Sequence, residues 1–215
     1  MKNLLLIYML FDLINSVSTF KLCIVGAGGG LGRELVSQGI GDYNCTVLGL
    51  TGKKKSIEYP FRGDGFNENT PMKKIVHSNL VVDSYWNHIQ DNYQHLILCT
   101  GAGPFEKDYS DKLTLKMLES LPPSCKSINL ISAWGTGDSL DSSNWGIQIM
   151  NSWYLQDSYR AKNEQEKMIQ EFEEKMITRI YRPKSLSYGN TFLESTSRFN
   201  FANEILENIF SLDDI

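Results

Sequence analysis

The segment GAGGGLG, residues 26–32, sets five glycines in seven positions between an apolar run, KLCIV, and a helix-like one, RELVSQG. Gly26, Gly28, Gly29, Gly30 and Gly32 satisfy both GxxGxxG and GxxxGxG spacings, and Leu31 stands where a strict GxGxxG pattern has its last glycine. Glycines at such a turn permit positive φ and let the backbone approach a pyrophosphate, whose charge meets the N–H groups of the following helix. In that arrangement Gly26 makes the turn, Gly29 and Gly30 face the phosphates, and Gly32 lets the helix lie close to the strand. The position between a strand-like and a helix-like segment is the context that gives the motif this meaning. The next strand-like run ends LGLTGKK, without the acid that would bind a ribose 2′-hydroxyl. Thr51, Lys53 and Lys54 suit a 2′-phosphate instead, with Arg33 a second candidate, so NADP(H) is expected over NAD(H). The ordinary alternative for the lysines is a solvated loop.

Apolar runs at 21–27, 45–50, 73–79, 95–101, 127–133 and 177–183 alternate with helix-compatible segments at 31–38, 84–90, 110–121, 158–175 and 201–210. Such alternation predicts βαβ units and a parallel sheet. The expected fold is α/β, a doubly wound Rossmann-type parallel sheet with helices on both faces, formed as a single domain by residues 20–215. Residues 52–71, rich in Gly and Pro, are expected to be a long surface connection.

The 215 residues carry a formal net charge of −4, which argues against a general attraction to nucleic acid or anionic membranes. The four cysteines show no CxxC spacing and three lie in strand-like runs, so buried reduced thiols are expected. The three histidines have no ligand spacing, and no metal site is predicted. Residues 1–19 combine Lys2, an apolar run at 4–11 and small residues with Ser16 and Ser18 placed as at a cleavage site. That is signal-peptide patterning, too short to span a bilayer, with Asp12 as a departure and an amphipathic helix packed on the domain as the alternative. The aromatic Phe20 at the boundary resembles the bipartite plastid-targeting signals of algae with red-lineage plastids. Entry to the secretory pathway or an algal plastid is therefore expected, with a cytoplasmic location as the alternative.

Over about residues 21–209 the chain resembles the atypical short-chain dehydrogenase/reductases, in particular the NmrA-like NAD(P)H-binding group that includes small flavin and biliverdin-IXβ reductases. The resemblance rests on six features in order: the glycine loop, HLILCTGAG, INLISAWGTGDS, YRAKNEQEKMIQ, ITRIYRPKSL and STSRFNFANEIL. It implies that Thr100, Gly101 and Ala102 line the ribose and nicotinamide side, that Ser132 and Ala133 lie beside the nicotinamide, and that Lys162 bonds the nicotinamide ribose. It also implies that Arg182 and Pro183 close the pocket floor near Leu186. Asn79 falls where the family has an adenine-binding Asp, and an amide can make one such bond.

The family's reductases of the Tyr-x-x-x-Lys kind draw a proton from a tyrosine one turn before the lysine, because positions i and i+4 share a helix face. Here Ser158 holds that position and Tyr159 lies three residues before Lys162, rotated about 60° from it around the helix. Relatives that reduce flavin-like acceptors manage without the dyad, since the cofactor carries the hard step. The candidate catalytic residues are thus Ser132, Tyr159 and Lys162. Trp134, Trp145, Trp153, Tyr154 and Tyr159 surround the expected substrate loop and can stack on a planar acceptor or fill core. Two readings follow. One is an NADPH-dependent reductase of a planar conjugated acceptor, such as a flavin or quinone. The other is a noncatalytic NADP(H)-binding module, a redox sensor or assembly partner.

Overall fold

The structure is a computed structural model and describes residues 21–43, 45–50, 93–101, 107–139, 155–184, 186–187 and 196–211. The expectations for residues 1–20, 52–71, 73–79 and 84–90, and for Thr51, Lys53, Lys54, Asn79, Ala102, Trp145, Trp153 and Tyr154, lie outside the described residues.

Five strands, β1 (Lys21–Val25), β2 (Thr46–Leu50), β3 (His95–Leu98), β4 (Ser127–Ile131) and β5 (Ile177–Tyr181), form one parallel sheet in the order β2-β1-β3-β4-β5. Four helices are described: α1 (Gly30–Gly41), α2 (Ser110–Glu119), α3 (Gln156–Gln170) and α4 (Arg198–Phe210). A short parallel pair, β6 (Leu186–Ser187) and β7 (Thr196–Ser197), precedes α4.

Alternation along each strand feeds two cores. Leu22, Ile24, Val47, Ile97 and Ile131 meet Leu31, Leu35, Phe201 and Ile205 of α1 and α4 on one face. Cys23, Val25, Leu48, Leu96, Leu98, Ile128 and Leu130 meet Met117, Leu118 and Ile169 of α2 and α3 on the other. With both faces covered, β1 and β2 have no polar side to show and read as apolar runs, whereas β5, ITRIY at the sheet's edge, is only partly buried. The sheet is doubly wound as the alternating pattern predicts.

Side chains lock the layers. Gln38 Nε2 donates to the Phe199 carbonyl at 3.0 Å, and Tyr43 stacks on Phe210 with centroids 4.5 Å apart, tying α1 to α4. Gln165 Nε2 donates to Thr114 Oγ1 at 2.7 Å, and Arg160 pairs with Asp111 at 2.9 Å, tying α3 to α2. A buried polar strip, His95 Nδ1 with Ser127 Oγ at 2.9 Å and Asn129 Nδ2 to Ser127 Oγ at 3.0 Å, joins neighbouring register positions of β3 and β4.

The thiols are free, with Cys23, Cys45 and Cys125 buried and Cys99 half-buried. Burial pushes Cys45 and Cys99 up to about 12 and Cys125 to about 11, leaving all three protonated at neutral pH. No described helix is long and apolar enough to cross a membrane.

Candidate functional site

The chain moves from β1 outward to β2, then back across β1 to β3, so strand order reverses beside the C-terminal end of β1. Ligands of open α/β sheets bind in the crevice that such a reversal creates. Gly26 leaves β1 with φ 91°, and a Cβ there would stand 2.7 Å from the Cys99 carbonyl oxygen, against backbone that cannot yield. The N–H groups of Gly26 and Ala27 both reach the Leu50 carbonyl, at 2.8 and 3.0 Å, anchoring the turn to β2. A Cβ on Gly32 would strike the Gly26 carbonyl and lie 2.8 Å from its carbon, so α1 starts hard against the turn. Gly29 is the N-cap of α1 and offers no side chain to the helix's first N–H groups. Those donors, at the positive end of the helix dipole, are left for an anion. Gly28 and Gly30 are half-buried and Gly29 is exposed, while Leu31 turns into the core. Arg33 folds back, with Nε donating to the Gly28 carbonyl at 3.0 Å.

Opposite the loop, β3 and β4 end in a polar corner. Lys162 on α3 is 7% exposed, and its ammonium donates to the carbonyls of Thr100 and, at 2.8 Å, Ile131. Desolvation lowers its pKa to about 8, against the opposing effect of Asp108, Cys99 and Glu166. Thr100 Oγ1 is buried without a hydrogen-bond partner among the described residues, and Gly101 lies exposed beside the Lys162 stem. An orphaned hydroxyl next to a glycine turn and a lysine is a cradle that suits a ribose or amide, so the residues present fit a dinucleotide.

Ser132 follows β4 and is 6% exposed; its N–H donates to the Tyr181 carbonyl at 2.8 Å. Its hydroxyl lies 3.0 Å from Thr136 Oγ1, which in turn contacts Glu166 Oε1 at 2.6 Å. Arg182 closes the chain with Nε and NH2 on the two Glu166 oxygens at 3.1 and 2.8 Å. Glu166 is desolvated, yet bonds from Arg182, Ser132 and Thr136 hold its carboxyl below the ordinary value. Gly137, with φ 46°, leaves room for this pair, since a Cβ there would overlap a Glu166 oxygen. The Pro183 carbonyl accepts from Trp134 N–H at 3.2 Å, and Lys184 lies over the Trp134 ring at 5.5 Å. A cleft of about 580 Å³ borders Glu166 on the outer side of α3, lined also by Asp138, Arg160, Asn163 and Lys167.

Tyr159 and Ser158 differ from a proton-donating tyrosine. The Tyr159 hydroxyl donates to the Trp134 carbonyl at 2.8 Å, and burial pushes its pKa up, the opposite direction from the one proton donation needs. Ser158 Oγ donates to Asp108 Oδ2 at 3.0 Å. The structure therefore gathers the glycine loop, Thr100, Gly101, Ser132 and Lys162 along one sheet edge, with Arg182 behind Ser132 and Tyr159 turned to the loop after β4. Nothing in the sequence alone singles out Asp108, Thr136 or Glu166. Glu166 stood in the quoted AKNEQE run one turn after Lys162; Asp108 carried only the Asp-x-Ser pattern that starts a helix. Among the described residues no group of three His, Cys, Asp or Glu side chains could hold a metal.

No family model and no curated protein sequence matches the chain. Solved structures do. The structure titled as ChuY, an anaerobillin reductase of Escherichia coli O157:H7, superposes with TM-score 0.60 at 15% identity, over 87% of this chain and 89% of that one. A putative NADH-flavin reductase of Streptococcus pneumoniae gives TM-score 0.61 at 9% identity, over 89% and 93%. A Rossmann-fold NAD(P)-binding family protein of Shigella flexneri gives 0.55 at 13% identity, over 88% and 85%. At these identities the likeness is one of fold: the chain is a Rossmann-type α/β protein.

Proposed function

We propose that the chain binds NADP(H) as an atypical short-chain dehydrogenase/reductase of the NmrA-like kind and passes hydride to a planar conjugated acceptor such as a flavin or quinone. The observation that carries this reading is the Lys162 ammonium seated across the ends of β3 and β4, with the orphaned Thr100 hydroxyl beside it and the uncapped α1 N-terminus at the same sheet edge. In this reading the amides of Gly28 to Gly32 meet the pyrophosphate, and Lys162 and Thr100 hold the nicotinamide ribose. Thr51 and Lys53 take the 2′-phosphate and Asn79 the adenine. Ala102 lines the pocket with Gly101, and Arg182 and Pro183 support its floor. The cofactor, when bound, supplies the hydride. Ser132 polarises the acceptor, and solvent supplies the proton in the absence of a tyrosine-lysine dyad. Two of the solved structures that share the fold, an anaerobillin reductase and a putative NADH-flavin reductase, support a reductase reading.

The second reading, a noncatalytic NADP(H)-binding module, is favoured by Ser158 in the tyrosine's place and by the commitment of Tyr159 to Trp134. Fluorescence titration of the full chain with NADPH and NADH tests the shared premise: NADPH binds at least tenfold tighter, whereas equal affinities remove the 2′-phosphate assignment and no binding removes the reading. NADPH consumption with FMN, FAD and quinones then separates the two. Ser132→Ala lowers the rate tenfold or more with little change in NADPH affinity if the serine acts on the acceptor.

A further inference from the structure

Ser132, Thr136 and Glu166 form a chain of oxygens with more contacts than hydrogens to fill them. Thr136 Oγ1 meets Ser132 Oγ at 3.0 Å, Glu166 Oε1 at 2.6 Å and the Ala133 carbonyl at 2.6 Å. The two hydroxyls bring one hydrogen each, and a carbonyl or an ionised carboxylate brings none, so one of these contacts is always unfilled. With Glu166 ionised, Thr136 donates to it and Ser132 donates to Thr136, while the Ala133 carbonyl keeps the Thr136 N–H at 3.3 Å. A proton on Glu166 fills the remaining contact: the carboxyl then donates to Thr136 Oγ1, and the Thr136 hydrogen can turn to the Ala133 carbonyl or to Ser132. The chain thus has a place for one proton more than it carries at rest.

All three side chains are buried, but the two ends of the chain meet different surroundings. Ser132 follows β4 at the sheet edge, next to Ile131, whose carbonyl holds Lys162. Glu166 lines the cleft on the outer side of α3, with the exposed side chains of Asp138, Arg160 and Lys167 on the same wall. Polar walls open to solvent hold water. Gly137 also stands on that wall, and a Cβ there would overlap a Glu166 oxygen, so the glycine leaves the carboxylate uncovered on its side. Arg182 fixes the carboxylate by two bonds, with Oε1 set toward Thr136.

We propose that Glu166 and Thr136 relay a proton from the water of the outer cleft to Ser132, and through Ser132 to the acceptor. This rests on the reductase reading given above, in which the cofactor supplies the hydride and solvent the proton. In the delivering step the Ser132 O–H bond breaks as the acceptor takes that proton, Thr136 passes its hydrogen to Ser132, and Glu166 passes its own to Thr136. The carboxylate left behind takes a proton from cleft water, which departs as hydroxide. The acceptor has then gained one hydride and one proton. Both hydroxyl hydrogens again point toward Glu166, and the Ala133 carbonyl gives the Thr136 hydrogen a partner as it turns back for the next cycle. Thr136 and Glu166 do not touch the acceptor; they act through Ser132.

The experiment follows NADPH oxidation by the full chain with FMN, FAD and a quinone, in H2O and in D2O, for wild type, Thr136→Val and Thr136→Ser. Thr136→Val keeps the shape and removes the hydroxyl, so kcat falls by about tenfold or more. NADPH affinity and the KM for the acceptor stay within about twofold, since the loss lies in the chemical step. The ratio of kcat in H2O to that in D2O rises, because proton delivery becomes the slow step. Thr136→Ser returns the hydroxyl and most of the rate. A Thr136→Val kcat within about twofold of wild type, an unchanged isotope ratio, or a loss that Thr136→Ser does not restore overturns the proposal. Should Thr136→Val not fold, Glu166→Gln combined with Arg182→Met removes the acid together with its partner and is judged by the same rate and isotope ratio. A wild-type chain that binds NADPH but reduces none of the acceptors ends the reductase reading and the relay with it, whereas an active wild type with an equally active Thr136→Val ends the relay alone.

Discussion

Replacing Arg182 by methionine strands the Glu166 carboxylate. Glu166 is 3% exposed and Arg182 21%, and the pair is joined through two bonds at 3.1 and 2.8 Å, so the variant leaves a desolvated charge that, among the described residues, the Thr136 and Ser132 hydroxyls still bond. Breaking a buried pair from one side costs about 3–5 kcal/mol. The partial exposure of Arg182 puts this case near the lower end, about 3 kcal/mol, which for a chain of this length lowers Tm by about 6–12 °C. The pH dependence has a definite sign. The folded-state pKa of Glu166 lies below its ordinary value of 4.5, so its stabilisation is complete above about 4.5 and is lost as pH falls through the folded pKa. In Arg182→Met the desolvated carboxyl loses the guanidinium that held it down and shifts up, so the Tm gap is widest toward neutral pH and narrows as pH falls and the stranded carboxylate takes up a proton. Adding Glu166→Gln to Arg182→Met removes the stranded charge and recovers part of the loss. Thermal melts of the three proteins by circular dichroism at several pH values test this. A double variant no more stable than Arg182→Met, or a gap that stays constant down to pH 4, refutes the reasoning.

Three further outcomes are expected. Gly32→Ala drives a methyl into the Gly26 carbonyl, so α1 must lift from the turn; stability falls by about 1–3 kcal/mol in urea denaturation and NADPH affinity falls more than tenfold. Tyr159→Phe removes the bond to the Trp134 carbonyl, costing about 0.5–1.5 kcal/mol in the same assay, and leaves the rate of the proposed acceptor reduction within about twofold. A rate loss of tenfold or more would show that the phenol takes part in the chemistry. Lys162→Met removes a group whose folded pKa, about 8, lies below its unfolded value of 10.5. The buried ammonium costs stability below pH 8, and that cost is relieved as pH rises toward 10.5, so wild type gains on the variant across this window. Urea midpoints at pH 7, 8 and 9.5 read the difference.

Strands were legible from sequence where burial leaves an apolar run, yet four of the runs overshoot their strands at the C-terminal end. The overshoots, Gly26 with Ala27, Cys99 to Gly101, Ser132 with Ala133, and Arg182 with Pro183, leave the ladder at its C-terminal edge, and they supply most of the site. Helix ends were less legible. The expected end of α1 at Gln38 reflects the poor helix propensity of Gly39 and Gly41, but Gly39 packs where a Cβ would lie 3.2 Å from Leu22 Cδ1, and tertiary contact carries the helix on to Gly41. The helix-favouring run expected to end at residue 175 stops at Gln170, because residues 171–175 bring four exposed charged groups, Glu171, Glu173, Glu174 and Lys175, and little to bury. The bond from Ser158 to Asp108 had no sequence signal, since it arises only when the segment before α2 meets α3.

The two carbonyls bound by Lys162 belong to the ends of β3 and β4, while the lysine belongs to a helix that docks from outside the sheet. Detaching α3 would take Lys162 from two strand-end carbonyls and Glu166 from the Thr136 hydroxyl, so helix and strand ends open as one cooperative unit. Hydrogen exchange should then show the α3 amides and those at the ends of β3 and β4 sharing a single opening free energy. A dinucleotide seated on that edge would slow exchange in α3 even where the helix touches no part of the ligand.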